Sequence, residues 1–261
     1  MLPGLVSRPQ TDAGELWGSA DYDRMARRFA DVHDEVVRRL HPEPGVRWLD
    51  VATGTGEVAI RAARAGADVT GVDIAPLLLA QARVKAGDLP IRFDEGDAER
   101  LPYPDTAFEV VSSVFGAMFA GDHVAVAREL ARVCRQAGRL GLAAWLPNPE
   151  LAELYHRFGL DPPEGVQPFE WGREEYVQRR LRGDFELEFE RRVWLLEVED
   201  GEAAWELWSN AAPPFRARLQ ELEPGTRERF HEAYVAYSEG YRTGDGIAVH
   251  RAYLLALGRR R

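Results

Sequence analysis

The stretch Trp48-Leu49-Asp50-Val51-Ala52-Thr53-Gly54-Thr55-Gly56 constrains this chain more than any other. An apolar run enters a loop of small residues, and a second apolar run ends on an acid at Gly71-Val72-Asp73. Gly54 and Gly56 permit backbone dihedrals that other residues resist, and they let the main chain approach a ligand closely. A helix opening near Glu57 points its N-terminal amides at that ligand. Asp73 is placed to accept both hydroxyls of a ribose. Together these features imply an α/β domain that grips a nucleoside.

The rest of the chain fits that reading. Apolar patterning places strands at 46–51, 68–72, 91–94, 108–113 and 139–145, with helices at 57–64, 76–86 and 123–135. Repeated strand–helix units of this length imply a parallel sheet with helices on both faces. Residues 1–15, rich in Pro, Gly and polar residues, read as a flexible N-terminal tail, and 16–261 as a single domain. An amphipathic lid helix is expected over about 20–40, stopped by Pro42 and Pro44. Beyond Trp145, prolines including Pro147, Pro149, Pro162, Pro163 and Pro168 break the rhythm. Helical cap insertions are expected over about 147–182 and 202–243, the latter as helices at 202–222 and 226–242. Phe185, Leu187 and Phe189 alternate with Glu186, Glu188 and Glu190, the signature of a half-solvated strand over 185–196; 249–257 reads as the last strand.

Composition excludes several functions. The net charge of −10 argues against nucleic acid or an anionic membrane as partner. Arginine supplies nearly all the positive charge, Lys85 being the only lysine. Cys134 is the lone cysteine, so no internal disulfide or cysteine metal cluster forms, and a small buried residue is expected there. There is no Cys/His ligand set for zinc, and no metal is expected. Without a signal pattern or a run of about 18 apolar residues, the chain reads as soluble and cytoplasmic, a monomer or homodimer. The run Arg259-Arg260-Arg261 reads as a mobile tail.

Gly54-x-Gly56-x-x-Ala59, with an acid 17 residues beyond Gly56, also fits a nicotinamide or flavin dehydrogenase. Two acids weigh against a dinucleotide. Asp50, just before the glycines, is poorly placed against a pyrophosphate and well placed for an ammonium. Asp97, in Glu95-Gly96-Asp97-Ala98, can accept from an exocyclic amine such as that of adenine. A cationic amino-acid tail, a ribose and an adenine would meet Asp50, Asp73 and Asp97 in turn. That ligand is S-adenosylmethionine.

Residues from about 46 to 145 resemble the class I S-adenosylmethionine-dependent methyltransferases, and within them the ubiquinone/menaquinone-biosynthesis type. The resemblance rests on five motifs in order. These are 49–56, Gly71-Val72-Asp73, Glu95-Gly96-Asp97-Ala98 with Leu101-Pro102, Phe108-Glu109-Val110-Val111, and 129–135 leading to Gly138-Arg139-Leu140. It implies a Rossmann-like seven-stranded, mostly parallel sheet whose last strand is antiparallel and lies between its neighbours, with a helical lid insertion. By position, Asp50, Ala52, Gly54 and Gly56 would hold the methionine moiety, Asp73 the ribose, and Asp97 with Ala98 the adenine. Ile74 would pack on the adenine face, Ser113 and Val114 would line the sulfonium, and Tyr22 would reach the cofactor carboxylate. Three positions depart from the pattern: Ala52 replaces a glycine, Glu109 an aspartate, and Gln136-Ala137-Gly138 a Pro-Gly-Gly turn.

Methyl transfer is a displacement at an already activated carbon, so it needs alignment and dryness more than a catalytic side chain. A base helps only where the acceptor must lose a proton. His123 is the first candidate, being just past the sheet's carboxyl edge, followed by Tyr22, His33 and His156; each histidine also reads as an ordinary surface or capping residue. Phe115, Met118 and Phe119, with Tyr155, Trp205 and Trp208, are candidates for an acceptor pocket over the cleft, or for plain core packing at helical spacing. The expected activity is methylation of an O, N or C nucleophile on a small, partly apolar secondary metabolite or quinone-like molecule. The alternative is a fold-alike that binds the same cofactor without transferring methyl, as a cyclase or a regulatory partner.

Overall fold

A computed structural model describes residues 10–18, 22–162 and 167–261; the first nine residues of the expected tail, Ala20, Asp21 and Pro163 lie outside it. Three helices come first: α1 (Gln10–Gly18), α2 (Tyr22–Ala26) and α3 (Ala30–Arg39), with a 3₁₀ turn at Arg27–Phe29 before α3. The alternating units follow as β1 (Arg47–Val51), α4 (Glu57–Arg64), β2 (Asp68–Asp73), α5 (Pro76–Ala86), β3 (Arg92–Glu95), β4 (Phe108–Val114), α6 (His123–Val133) and β5 (Cys134–Trp145). Beyond them lie α7 (Pro149–Arg157), α8 (Glu174–Leu181), β6 (Phe185–Val198), α9 (Gly201–Ala211), α10 (Pro213–Glu221), α11 (Pro224–Glu239), β7 (Arg242–Thr243) and β8 (Gly246–Arg260).

Local chemistry sets many of these boundaries. Pro76 opens α5, where a missing amide costs least. The Asp122 carboxylate caps α6 by accepting from the amides of Val124 and Ala125 at 2.9 and 3.0 Å. Pro213, at the start of α10, divides what the sequence reads as one helix over 202–222.

The strands lie in the order β3-β2-β1-β4-β5-β8-β6, with two-residue β7 pairing beside β8. From β3 to β5 every pairing is parallel, while β8 runs antiparallel between β5 and β6. The expected sheet is thus found, with β7 an added short hairpin partner. Trp48, Leu49, Val51, Val110 and Val111 are fully buried, as strands covered on both faces must be. The order reverses between β1 and β4, so the crevice beyond their carboxyl ends is the topological switch point where ligands bind in such sheets.

Two terminal segments differ from expectation. Residues 10–15, read as flexible tail, are helical. A Cβ on Gly14 would lie 2.5 Å from the Ile74 carbonyl oxygen, so the α1 backbone packs directly on the start of α5. At the other end Arg260 belongs to β8, which pairs with β6 as far as Phe185–Arg260. Its guanidinium donates to the carbonyls of Ala131 at 3.0 Å and Asp184 at 2.9 Å. Carbonyls left at the end of α6 and before β6 anchor what the sequence reads as a mobile tail.

The aromatic residues beyond Trp145 form a second cluster of their own. Leu151, Leu154, Leu160, Leu219, Phe230 and Tyr234 are buried together, with Tyr155, Trp205 and Phe215 packed against them. Among the described residues, no helix is long and apolar enough to cross a membrane.

Candidate functional site

The loop after β1 turns on three left-handed residues: Ala52 at φ 53°, Gly54 at 54° and Gly56 at 82°. Gly56 ends the loop and opens α4. The left-handed value explains why glycine is the usual residue at position 52: alanine there carries a steric cost that glycine does not. Across from the loop, the Gly54 amide donates to Asp73 Oδ2 at 2.8 Å, and the Ala75 amide donates to Oδ1 at 2.9 Å. Burial raises the Asp73 pKa, and these amides oppose the rise. The carboxylate that the sequence assigns to a ribose therefore also fixes the glycine loop.

Asp50 is buried under the loop at the hub of a hydroxyl network. Thr53 Oγ1 donates to one carboxylate oxygen at 2.6 Å, and Ser112 Oγ to the other at 2.7 Å. Trp48 Nε1 in turn donates to Ser112 at 2.8 Å. Burial pushes the Asp50 carboxyl up to about 6, against the pull of these hydrogen bonds. The network ties β1 to β4 at the switch point and sets the floor of the site.

The cleft above is lined by Tyr22, Ala26, His33, Asp50, Ala52, Thr53, Gly54, Thr55, Glu57, Val58 and Val114. Its cover comes from the N-terminal helices. The Tyr22 ring approaches so closely that a Cβ on Gly54 would lie 3.3 Å from it. Burial, with Asp73 and Glu57 nearby, pushes the Tyr22 hydroxyl pKa up. Trp17 packs edge-on to Tyr22 at 5.7 Å and to Phe119 at 5.1 Å, joining α1, α2 and the segment after β4. The only lysine ties the cover down: Lys85 pairs with Asp23 at 2.6 Å and with Glu57.

The cofactor residues read from the sequence are largely brought together. Tyr22, Asp50, Ala52, Gly54 and Val114 line the cleft, and Asp73 holds its loop. Ser113 is buried and accepts from the Ala117 amide at 3.0 Å, shaping the turn after β4. Ile74 follows Asp73 under α1. Asp97 accepts from the Glu99 amide at 2.8 Å, and half-buried Ala98 packs on the core. Glu99 then accepts from the amides of Gly121 and Asp122, tying the loop after β3 to the start of α6.

His123 has a different place from the one expected. It is buried outside the cleft. Its Nε2 donates to the Met118 carbonyl at 3.1 Å, leaving Nδ1 to accept from the Tyr176 hydroxyl at 2.8 Å. Burial lowers its pKa, so the ring is neutral with both nitrogens engaged. It pins the segment after β4 to α8 and has no free lone pair for a proton. His156 is a surface residue paired with Asp161.

Of the six residues read as acceptor-pocket candidates or core packing, none lines the cleft. Phe115 is stacked on Trp145 with centroids 3.8 Å apart and planes 2° from parallel, and Met118 is equally buried. Tyr155 and Trp205 belong to the second cluster. Trp208 bridges both clusters, under the Arg251 guanidinium. Phe119, through Trp17, is the one that reaches the cover of the site. Sequence reasoning did not assign Ala26, Thr53, Thr55, Glu57 and Val58 to the site. The last four flank the glycines and were open to inclusion on position alone.

A larger groove, of about 400 Å³, lies elsewhere, between α6 and α8, lined by Arg128, Arg132, Arg179, Arg180, Arg260 and Asp184 among others. Arg132 and Arg260 there are consumed by ion pairs with Glu129, Asp105 and Asp184. Among the described residues no group of three or more His, Cys, Asp or Glu is placed to hold a metal ion.

Strand order, glycine loop and switch-point cleft define a nucleoside-binding α/β protein of the Rossmann-like kind. Comparison with known proteins narrows the class. Residues 49–142 match the model of a methyltransferase domain family. The chain is 36% identical over 195 residues to the uncharacterized protein Rv1405c of Mycobacterium tuberculosis, spanning 70% of this chain and 69% of that protein. It is 44% identical over 131 residues to the demethylmenaquinone methyltransferase of Thermus thermophilus, spanning 49% and 56% of the two chains. The crystal structure of the YcgJ protein from Bacillus subtilis superposes with a TM-score of 0.59 at 21% identity, over 88% of this chain and 97% of that one. Residues 49–142 thus form a methyltransferase domain on a class I fold, whose cofactor is S-adenosylmethionine.

Proposed function

We propose that this protein transfers a methyl group from S-adenosylmethionine to an O, N or C nucleophile of a small, partly apolar acceptor, quinone-like or a secondary metabolite. The observation that carries the reading is the cleft itself: a left-handed glycine loop clamped by Asp73, at the switch point, roofed by Tyr22 and Trp17. Those features fit the cofactor. Gly54 and Gly56 hold the left-handed turn that the loop needs, and Asp73 keeps lone pairs beyond those its two amides occupy. Asp73 would hold the ribose, Asp97 and Ala98 the adenine side, and Ser113 and Val114 the neighbourhood of the sulfur.

When bound, S-adenosylmethionine supplies an activated methyl on a sulfonium. The chain's own contribution is alignment and exclusion of water. Tyr22, Trp17 and Phe119 form an apolar roof, and Lys85 holds it through Asp23. The roof's aromatic character and the identity to a demethylmenaquinone methyltransferase support a flat, partly apolar acceptor. His123, with both nitrogens engaged, is not assigned as base.

The test is incubation with methyl-labelled S-adenosylmethionine and a panel of hydroquinones, phenols and amines. Label recovered in an aromatic acceptor, with stoichiometric S-adenosylhomocysteine, is the expected result. Tight cofactor binding with no label in any acceptor would favour the non-methylating alternative.

A further inference from the structure

His33 stands on α3 and is only 5% exposed. It lines the cleft beside Asp50, Thr55, Glu57 and Val58, at the first turn of α4. Its Nδ1 is fully buried and has no hydrogen-bond partner among the described residues. Native folds rarely leave a buried polar atom in that condition without a use for it.

The charged groups around the ring are already committed. Arg61 on α4 pairs with Glu57 and with Asp34. Lys85 on α5 pairs with Asp23 and Glu57. Asp50 on β1 is held by Thr53 and Ser112. Burial pushes His33 down to about 4, so the imidazole is neutral and one ring nitrogen carries a proton to donate. The amides of the α4 N-terminus lie at the same end of the cleft, where they favour a negative group. Asp73, proposed above to hold the ribose, is not among the residues that line the cleft with His33.

We propose that His33 recognises the aminoacyl end of the cofactor, its Nδ1–H donating to the α-carboxylate. The assignment rests on the cleft being an S-adenosylmethionine site. It makes His33 a binding residue for the tail and not for the adenosine.

Two ligands separate those parts. S-adenosylhomocysteine carries the tail, while 5′-methylthioadenosine has the same adenosine and thioether without it. Calorimetric titration of both into wild type, His33→Phe and His33→Gln reads the difference. For His33→Phe the expected result is roughly tenfold weaker S-adenosylhomocysteine binding and unchanged 5′-methylthioadenosine binding, the scale of one lost hydrogen bond to a charged group. His33→Gln, which keeps a donor, retains most of the affinity and guards against a misfolded phenylalanine variant. Equal weakening of both ligands, or of neither, overturns the assignment while leaving the cofactor reading intact. A folded wild type that binds neither ligand overturns both.

Discussion

Lys85 Nζ lies 2.6 Å from Asp23 Oδ1, joining α5 to the short helix that carries Tyr22 over the glycine loop. Glu57 shares the same ammonium, so one lysine holds the roof to the floor of the cleft. Lys85→Ala would leave Asp23 with Arg27 and Glu57 with Arg61, costing about 1–3 kcal/mol, between the values of exposed and buried pairs. Because this is the only lysine, amine acylation at its side chain reports roof opening directly. Labelling of Lys85 is expected to be roughly tenfold or more slower in the folded protein than in urea. Equal rates would show that the roof is open.

Ala52 occupies a left-handed conformation in the cofactor loop. Glycine adopts it without steric cost, which outweighs its greater unfolded-state entropy. Ala52→Gly is expected to stabilise the protein by about 0.5–1 kcal/mol, raising the melting temperature by roughly 1–4 °C. Calorimetric melting checks this, and a fall in melting temperature would mean that the Ala52 methyl contributes more by packing than its backbone costs.

His33 and Asp50 tilt stability with pH in opposite senses. His33 has a folded pKa of about 4, below its unfolded value, so the unfolded chain takes up its proton first and stability is lost as pH falls through that window. Asp50 has a folded pKa of about 6, above its unfolded value, so its contribution is present at low pH and lost as pH rises toward 6. The two slopes oppose each other between about pH 4 and 6. His33→Gln removes one of them. Relative to that variant, wild type is expected to lose roughly 3 kcal/mol between pH 7 and 4, measured by urea unfolding. Parallel profiles would show that His33 titrates normally.

Phe115 is stacked against Trp145 inside the main core, with Phe29 and Tyr253 close by. Phe115→Ala should therefore act on stability, costing about 3–5 kcal/mol, while the affinity for S-adenosylhomocysteine at 20 °C stays within a few-fold. A variant with full stability and lost acceptor turnover would restore Phe115 to the acceptor pocket.

The strands of the first half and the glycine loop were legible because they rest on local chemistry, while the arrangement of the sheet came from the family resemblance. Glycines at 54 and 56, the acid closing β2 and the apolar runs of β1 and β4 depend on near neighbours in sequence. The roles of His123, Phe115 and Arg260 were not legible, because their partners come from distant segments. Tyr176 takes the second nitrogen of His123 across 53 positions, and Ala131 receives Arg260 across 129. The polar helix α1 has no apolar stripe to announce it; its fit depends on Gly14 and Gly18 lying flat on Ile74 and Leu77. His33 was visible as a titratable residue on the lid helix, but its orphaned nitrogen appears only once α3 is laid against α4.

The most direct test of the account is calorimetric titration of S-adenosylhomocysteine into wild type and Asp73→Ala. Asp73 clamps Gly54 and is proposed to hold the ribose, so micromolar one-to-one binding by wild type, weakened roughly a hundredfold or more in the variant, is the expected result. Binding that survives unchanged in a folded Asp73→Ala protein, or no binding by wild type, would contradict it.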